Sequence, residues 1–389
     1  MDATGFKALK VIDADTHVIE PADLWTSRLS AKKWGNLIPH VKWDPVIGEE
    51  QWYVGDKPIY PVGLPAMAGF DDYAPLHPIR MADIPGDQID PALRLKKMDE
   101  YGVHAAILYP NVGVFAAADY LGMSVDQQFA VDCTKAYNDF LVDFSSTDRS
   151  RYIPVMTLPF WDLDETRKEI DRAAALGHKG IVMTQQPDNF GLPPLDHKHW
   201  DPLWAQAQDL GLPVNFHIGS GKITNYGLPE NGEHAGYAWT TTMNFQGNVR
   251  TIAGLIFSGI CHRFPRLNFV SVESGIGWIP ALLEAMDWQF MNSGVRRDHP
   301  DWDLPSEYFK RQIYGCFWFE KESAKAAIEI LGPDNFLYET DYPHPTSMSP
   351  GPASVAQNPL DFMVESLGGF PDETIAKLVH DNAARIYNL

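Results

Sequence analysis

Short apolar runs recur along the chain, each followed by polar or Gly/Pro-rich residues and then by a helical pattern. Eight runs fit this description: 11–17, 103–109, 152–158, 179–184, 213–218, 268–274, 313–319 and 335–341. They are continuous and rich in β-branched or aromatic residues rather than strictly alternating, which suits strands buried on both faces. The helical stretches between them carry their own boundary signals. In DPALRLKKMDEYGV, Asp90 can cap, Pro91 suits the first helical position and Gly102 can end the helix. Asp201, Pro202 and Gly211 repeat that logic in DPLWAQAQDLGLPV, a further helix begins at Ser306, and EKESAKAAIEILGP stops at Gly332-Pro333. Strand and helix in alternation imply a parallel sheet, and eight strands suffice to close an α/β barrel of the (β/α)8 kind. An open doubly wound sheet is the alternative, weakened because no G-x-G-x-x-G follows the first run.

Two stretches interrupt the rhythm. Residues 26–89, after the first run, are rich in Trp, Pro and Gly and include Trp34, Trp43, Trp52, Tyr53 and Tyr73. Residues 219–241, after the fifth, include Tyr226, Tyr237 and Trp239. Both follow strand ends, where barrel active sites are built. We read 1–389 as a single barrel with 26–89 as an aromatic flap over its mouth, rather than as a separately folded domain. Most of these aromatic residues pack, while Tyr237 and Trp239 are candidates to stack on an aromatic substrate.

The chain ends of three runs carry residues able to hold a metal. In VIDADTHVIEP, side-chain alternation puts Asp13, Asp15 and His17 on one face, with Asp13 a pleat deeper as a buried hydrogen-bonding group. Asp15 and His17 can converge on one ion beyond the strand's end. In LPVNFHIGSG, His217 ends its run, and Gly219 and Gly221 open the backbone at the mouth. In NFLYETDYPHPTS, Asp341 ends the last run and Pro343 stops the strand. A carboxylate ending a buried strand needs compensation, which a bound cation supplies. Each segment alone has a plain alternative, a core histidine or a helix cap. Their convergence on one rim is what points to a metal. His344 is a candidate substrate contact, whereas His197 and His199 read as a solvated loop and His262 as structural.

Composition excludes more than it identifies. Net charge is −20, from 51 acidic against 31 basic residues, so a basic surface for nucleic acid is disfavoured. No run of about 18 apolar residues suggests a membrane span, and the first ten residues lack the apolar stretch of a signal peptide, so a cytoplasmic location is expected. Cys133, Cys261 and Cys316 are odd in number and far apart, and read as reduced core residues. Whether the chain forms a homodimer is left open.

DADTHVIEP, GLPVNFHIG, RFPRLNFVSVESGIGWIP, ETDYPHP and the closing NAARIY together resemble the amidohydrolase-related family that includes aminocarboxymuconate-semialdehyde decarboxylase and γ-resorcylate decarboxylase. The resemblance covers about residues 9–25 and 90–389 and leaves the 26–89 insertion unexplained. It implies a distorted (β/α)8 barrel, known as the TIM barrel, with one divalent metal held by Asp15, His17, His217 and Asp341. Two departures stand out. Many members carry H-x-H on the first strand, where this chain has Asp15-Thr16-His17. Two carboxylates and two imidazoles make the ion a weaker Lewis acid, and the harder ligand set admits Mn²⁺ as readily as Zn²⁺. The family's decarboxylases also place a catalytic histidine at the end of the sixth strand, where this chain has Glu273, or Ser274 under a one-residue shift. The expected activity is decarboxylation of an aromatic or unsaturated carboxylic acid, with Glu273 or Asp341 moving the proton. The alternative is hydrolysis of a lactone, ester or amide by metal-activated water, with Asp341 as base. A non-catalytic small-molecule binder is a third reading, opposed by the four intact ligand positions.

Overall fold

The computed structural model of the chain describes residues 1–112, 126–221, 227 and 229–389. In chain order its strands are β1 (Ile12–His17), β2 (His40–Asp44), β3 (Glu49–Val54), β4 (Lys57–Pro61), β5 (Ala105–Tyr109), β6 (Tyr152–Pro154), β7 (Ile181–Val182), β8 (Val214–His217), β9 (Phe269–Val272), β10 (Ile313–Phe317) and β11 (Phe336–Tyr338). All but β2, β3 and β4 fall within the eight apolar runs. They pair in parallel as β1-β5-β6 and as β7-β8-β9-β10-β11. Two further parallel bridges, Met156 with Ile181 and Thr16 with Tyr342, join these sheets at both edges. The strands therefore run in a ring, with short pairing segments that account for the expected distortion.

Inside the ring lie Ile12, Ala14, Ile107, Val155, Val272 and Leu337, all buried. The last helix, Asn382–Tyr387, adds Ala383, Ile386 and Tyr387 to that cluster. Asn382 donates to the carbonyls of Pro333 and Phe336, which fixes this helix at the strand starts, opposite the rim bearing the candidate ligands. The Tyr387 hydroxyl reaches into the ring and donates to Asn215 Oδ1 at 2.6 Å. A larger apolar cluster fills the space between strands and helices, including Trp200 and Trp204, both fully buried.

Helix Pro91–Tyr101 has the predicted ends: Asp90 accepts from the amides of Ala92 and Leu93, and Gly102 adopts the left-handed φ of 72°. Asp201 differs from expectation. A 3-10 turn, Lys198–Trp200, feeds directly into helix Asp201–Leu210, so Asp201 is already helical and its carboxylate instead accepts from Arg263 at 2.9 Å.

Residues 26–89 contain the antiparallel sheet β2-β3-β4. Trp52 packs edge-on against Trp25 at 5.0 Å, and Trp34 donates to Asp132 at 2.9 Å. Trp43 lies under Arg80, while Tyr73 is exposed. The amides of Met67 and Ala68 both donate to Pro343 O at 3.0 Å, tying this stretch to the loop after β11. Ile38, Trp52, Val54 and Val62 belong to the same apolar cluster as the barrel's outer layer. The three cysteines are buried and free. No helix among the described residues is long and apolar enough to cross a membrane.

The plug at the strand starts generates a prediction. Tyr387→Phe leaves the buried Asn215 amide oxygen without its hydroxyl partner, which costs about 1–3 kcal/mol. The urea midpoint falls at unchanged slope. An unchanged midpoint would remove the plug from the account of stability.

Candidate metal centre and active site

The end of β1 departs from simple alternation. Asp13 pairs with Ala106 and Thr16 with Leu108, so three steps along β1 answer two along β5. This bulge switches the parity of the strand. Ala106 and Leu108 belong to the outer layer and Tyr109 to the interior. Asp13 thus sits on the outer side, away from the face of His17, contrary to the alternation reading. Its carboxylate accepts from Thr340 N at 2.8 Å and Thr340 Oγ1 at 2.5 Å. Burial raises its pKa to about 7 against these hydrogen bonds. His17, opposite Tyr109, faces inward.

The four expected ligands meet. His17 Nε2 and His217 Nε2 are 3.0 Å apart. Asp15 Oδ1 lies 3.4 Å from His17 Nε2, and Asp15 Oδ2 lies 3.3 Å from His217 Nε2. Asp341 Oδ1 is 3.5 Å from His17 Nε2. All four side chains are buried. His17 Nδ1 faces Pro110 O at 3.2 Å, and His217 Nδ1 faces Ile218 O at 2.7 Å. Those carbonyls accept only, so each imidazole carries its proton on Nδ1 and the two Nε2 lone pairs face one another. Both Asp15 oxygens and Asp341 Oδ1 are buried without a hydrogen-bond partner among the described residues. Burial raises the pKa of Asp15 and of Asp341, each carboxyl being pushed further by other acids nearby, and burial lowers that of His17.

Such a set fits a divalent cation. Donor atoms about 2.1 Å from one ion stand roughly 3.0 Å apart at right angles and roughly 3.4 Å apart at tetrahedral angles. The observed separations, 3.0 to 3.5 Å, span that range. Three buried carboxylate oxygens and two ring nitrogens that converge at these distances suit a positive centre.

Glu273 follows β9 directly and adopts φ 53°, and Asp341 adopts φ 58°. Such left-handed backbone is uncommon outside glycine and concentrates at functional sites. Glu273 Oε2 is 3.6 Å from His217 Nδ1, and Oε1 accepts from Thr346 Oγ1 at 3.1 Å. The same hydroxyl is 2.5 Å from Asp341 Oδ2. Burial, then the neighbouring Asp341, raises the pKa of Glu273. Ser274 turns away and donates to Phe245 O at 2.6 Å, so of the two it is Glu273 that faces the cluster.

His344 returns under Asp341 through a turn closed by its amide on Asp341 O at 2.9 Å. Its ring stacks on His17 at 3.6 Å between centroids. Tyr237 lies close enough to Glu273 and Asp341 for their charge to add to burial in pushing its hydroxyl up to about 12. Trp239, two residues on in helix Glu233–Asn244, is turned roughly 200° around the axis and is 50% exposed. Tyr226 lies outside the described residues. His197 is exposed and caps the 3-10 turn Lys198–Trp200, in which His199 is half-buried, and His262 bonds to Tyr308 at 3.0 Å.

Several site residues escaped the sequence reading. Tyr60, on β4, sits near Glu20, Tyr237 and Glu273, all of which raise its pKa beyond the effect of burial. Glu339 is buried beneath the cluster and accepts from Glu273 N at 3.3 Å. Arg94 is buried under Tyr342 and donates to His17 O at 2.5 Å, pinning the end of β1. Carboxylates inside apolar runs, as in Val-Ile-Glu20 and Leu-Tyr-Glu339, were the available signal.

The family model described as Amidohydrolase matches residues 12–389. Among solved structures, an amidohydrolase from Mycobacterium avium subsp. paratuberculosis K-10 is 22% identical with a TM-score of 0.73, over 97% of this chain and 99% of that one. 5-Carboxyvanillate decarboxylase from Sphingomonas paucimobilis is 21% identical with a TM-score of 0.63, over 98% and 99%. A dihydroxybenzoic acid decarboxylase from Polaromonas sp. JS666, with bound manganese and the inhibitor 2-nitroresorcinol, is 18% identical with a TM-score of 0.62, over 97% of each chain. These likenesses carry the barrel fold. With the family match reaching from the first barrel strand to the last residue, the chain belongs to the amidohydrolase family.

Proposed function

We propose that this enzyme is a metal-dependent lyase that removes CO₂ from an aromatic or unsaturated carboxylic acid. The observation that carries the reading is the buried cluster of Asp15, His17, His217 and Asp341, whose converging carboxylate oxygens and ring nitrogens would hold one divalent ion, Zn²⁺ or Mn²⁺. Support for decarboxylation comes from the similar structures, which include decarboxylases of carboxyvanillate and dihydroxybenzoic acid, one with manganese. Bound there, the ion would fix a substrate oxygen and withdraw electron density from the carbon framework.

The chain's own residues would do the rest. Glu273, buried and held by Thr346, would carry the proton that the substrate carbon takes up. The bond from that carbon to the carboxylate breaks, its electron pair stays on carbon, Glu273 supplies H⁺, and CO₂ departs. Burial suits the role, since it keeps a carboxyl protonated at neutral pH. Residues 26–89 would act as a flap, with Tyr60 bringing an aromatic ring to the side of the site that Tyr237 also borders. A hydrolase acting on a lactone, ester or amide is the second reading, favoured by a carboxylate rather than a histidine at Glu273. There Asp341 would take the proton of the attacking water.

Purified enzyme loaded with Mn²⁺ or Zn²⁺ and offered aromatic acids and lactones separates the two. The proposal expects CO₂ from an aromatic acid, and acid released from a lactone without CO₂ would replace it with the hydrolase. His17→Ala and His217→Ala each lose most bound metal by elemental analysis, and a full equivalent retained in either variant would remove that residue from the ligand set. Glu273→Gln lowers turnover by roughly two to four orders of magnitude with metal content nearly unchanged. Near-normal turnover in that variant returns Glu273 to a supporting role in the rim.

A further inference from the structure

The loop after β5 holds a side chain in an orientation that decides the chemistry of His344. Asn111 is fully buried, and its amide nitrogen donates to Val18 O at 2.8 Å and to Glu20 Oε2 at 3.3 Å. Both partners only accept from it, so the amide cannot be flipped without losing both bonds. Asn111 Oδ1 therefore points at His344 Nε2, 2.6 Å away. An amide oxygen accepts, so Nε2 of His344 carries the ring proton. Glu20 secures the arrangement from behind, its Oε1 accepting from Asn111 N at 2.9 Å and Val112 N at 3.0 Å.

In a neutral ring with Nε2 protonated, Nδ1 presents a lone pair. That atom lies 2.8 Å from Asp341 Oδ1, itself a buried acceptor. Two acceptors at this distance repel unless they share a proton or a positive centre lies beside both. His17, His217 and His344 thus share one pattern: one ring nitrogen donates to a fixed oxygen, and the other turns a lone pair toward the carboxylates. That pattern marks metal-bound imidazoles, whose second nitrogen is almost always held by an outer acceptor. One ligand atom from each of His344, His17 and Asp341 lies within 4.8 Å of the other two, as donors to a common ion must.

We propose that His344 is a further ligand of the ion held by Asp15, His17, His217 and Asp341, donating through Nδ1, and that Asn111 is the positioning residue that sets its tautomer. This rests on the reading of the cluster as a metal site. It raises the protein donors from four residues to five and adds a third imidazole, offsetting the imidazole that Asp15 displaces from the H-x-H pattern. A five-residue set also suits an ion with more than tetrahedral coordination.

The direct test uses the metal-stripped full chain titrated with Co²⁺, read by visible absorption and by competition for affinity. His344→Phe, which keeps a ring over His17, weakens Co²⁺ binding by on the order of 10–100-fold and changes the absorption bands. Asn111→Leu weakens it by on the order of tenfold while His344 remains. In cadmium-loaded wild type with isotope-labelled histidine, three imidazoles show metal–nitrogen coupling, two through Nε2 and one through Nδ1. This arm needs no variant to fold. Coupling to two imidazoles only, or wild-type affinity and bands in His344→Phe, overturns the assignment of His344 and leaves the four-residue site standing. Wild type that takes up no Co²⁺ instead removes the metal reading itself.

Discussion

The structure around the barrel mouth depends on one electrostatic constraint. Asp15, Asp341, Glu273 and Glu339 are buried within a single cluster, and among the described residues neither Asp15 oxygen has a hydrogen-bond donor. An ionised carboxylate in such surroundings is costly unless something positive joins it. Arg94, a buried cation nearby, is committed to the backbone of His17 and Asp87, so it orients the end of β1 without neutralising the acids. The protein therefore stores a demand for positive charge at the point where the strands of the ring end.

Backbone geometry concentrates that demand. The β1 bulge turns Asp13 outward onto Thr340 and leaves Asp15 and His17 at the rim. Left-handed backbone at Glu273 and Asp341 bends the ends of two further strands inward. Thr346 ties their carboxylates together through one hydroxyl. These strained positions are tolerable because the ring below is braced by its apolar interior and by the Tyr387–Asn215 bond. The stable end of the barrel and the chemically loaded end are thus opposite ends of the same strands, as barrel enzymes require.

Much of this was legible in the residues. Continuous apolar runs gave all eight ring strands because burial on both faces leaves no polar alternation to confuse them. The ends of those runs brought Asp15, His17, His217 and Asp341 together, since the shared direction of parallel strands puts their C-terminal residues at one rim. The β1 bulge was not legible, because one extra residue leaves no mark in a pattern of six. Asp201 was misread as a cap because the 3-10 turn before it has no distinctive composition. Tyr60, Asn111 and Glu20 were missed because their roles come from tertiary contacts among the insertion and the loops after β1, β5 and β11. Tyr237 and Trp239 looked equivalent in sequence, yet two steps around a helix separate their faces.

The central claim is that a divalent cation completes the carboxylate–imidazole cluster. Anomalous diffraction from crystals grown with Mn²⁺, recorded on both sides of the manganese absorption edge, tests it without reference to any substrate. The account predicts one strong manganese peak enclosed by Asp15, His17, His217 and Asp341. Crystals that show no such peak, with Asp15 and Asp341 instead sharing protons with their neighbours, would contradict it.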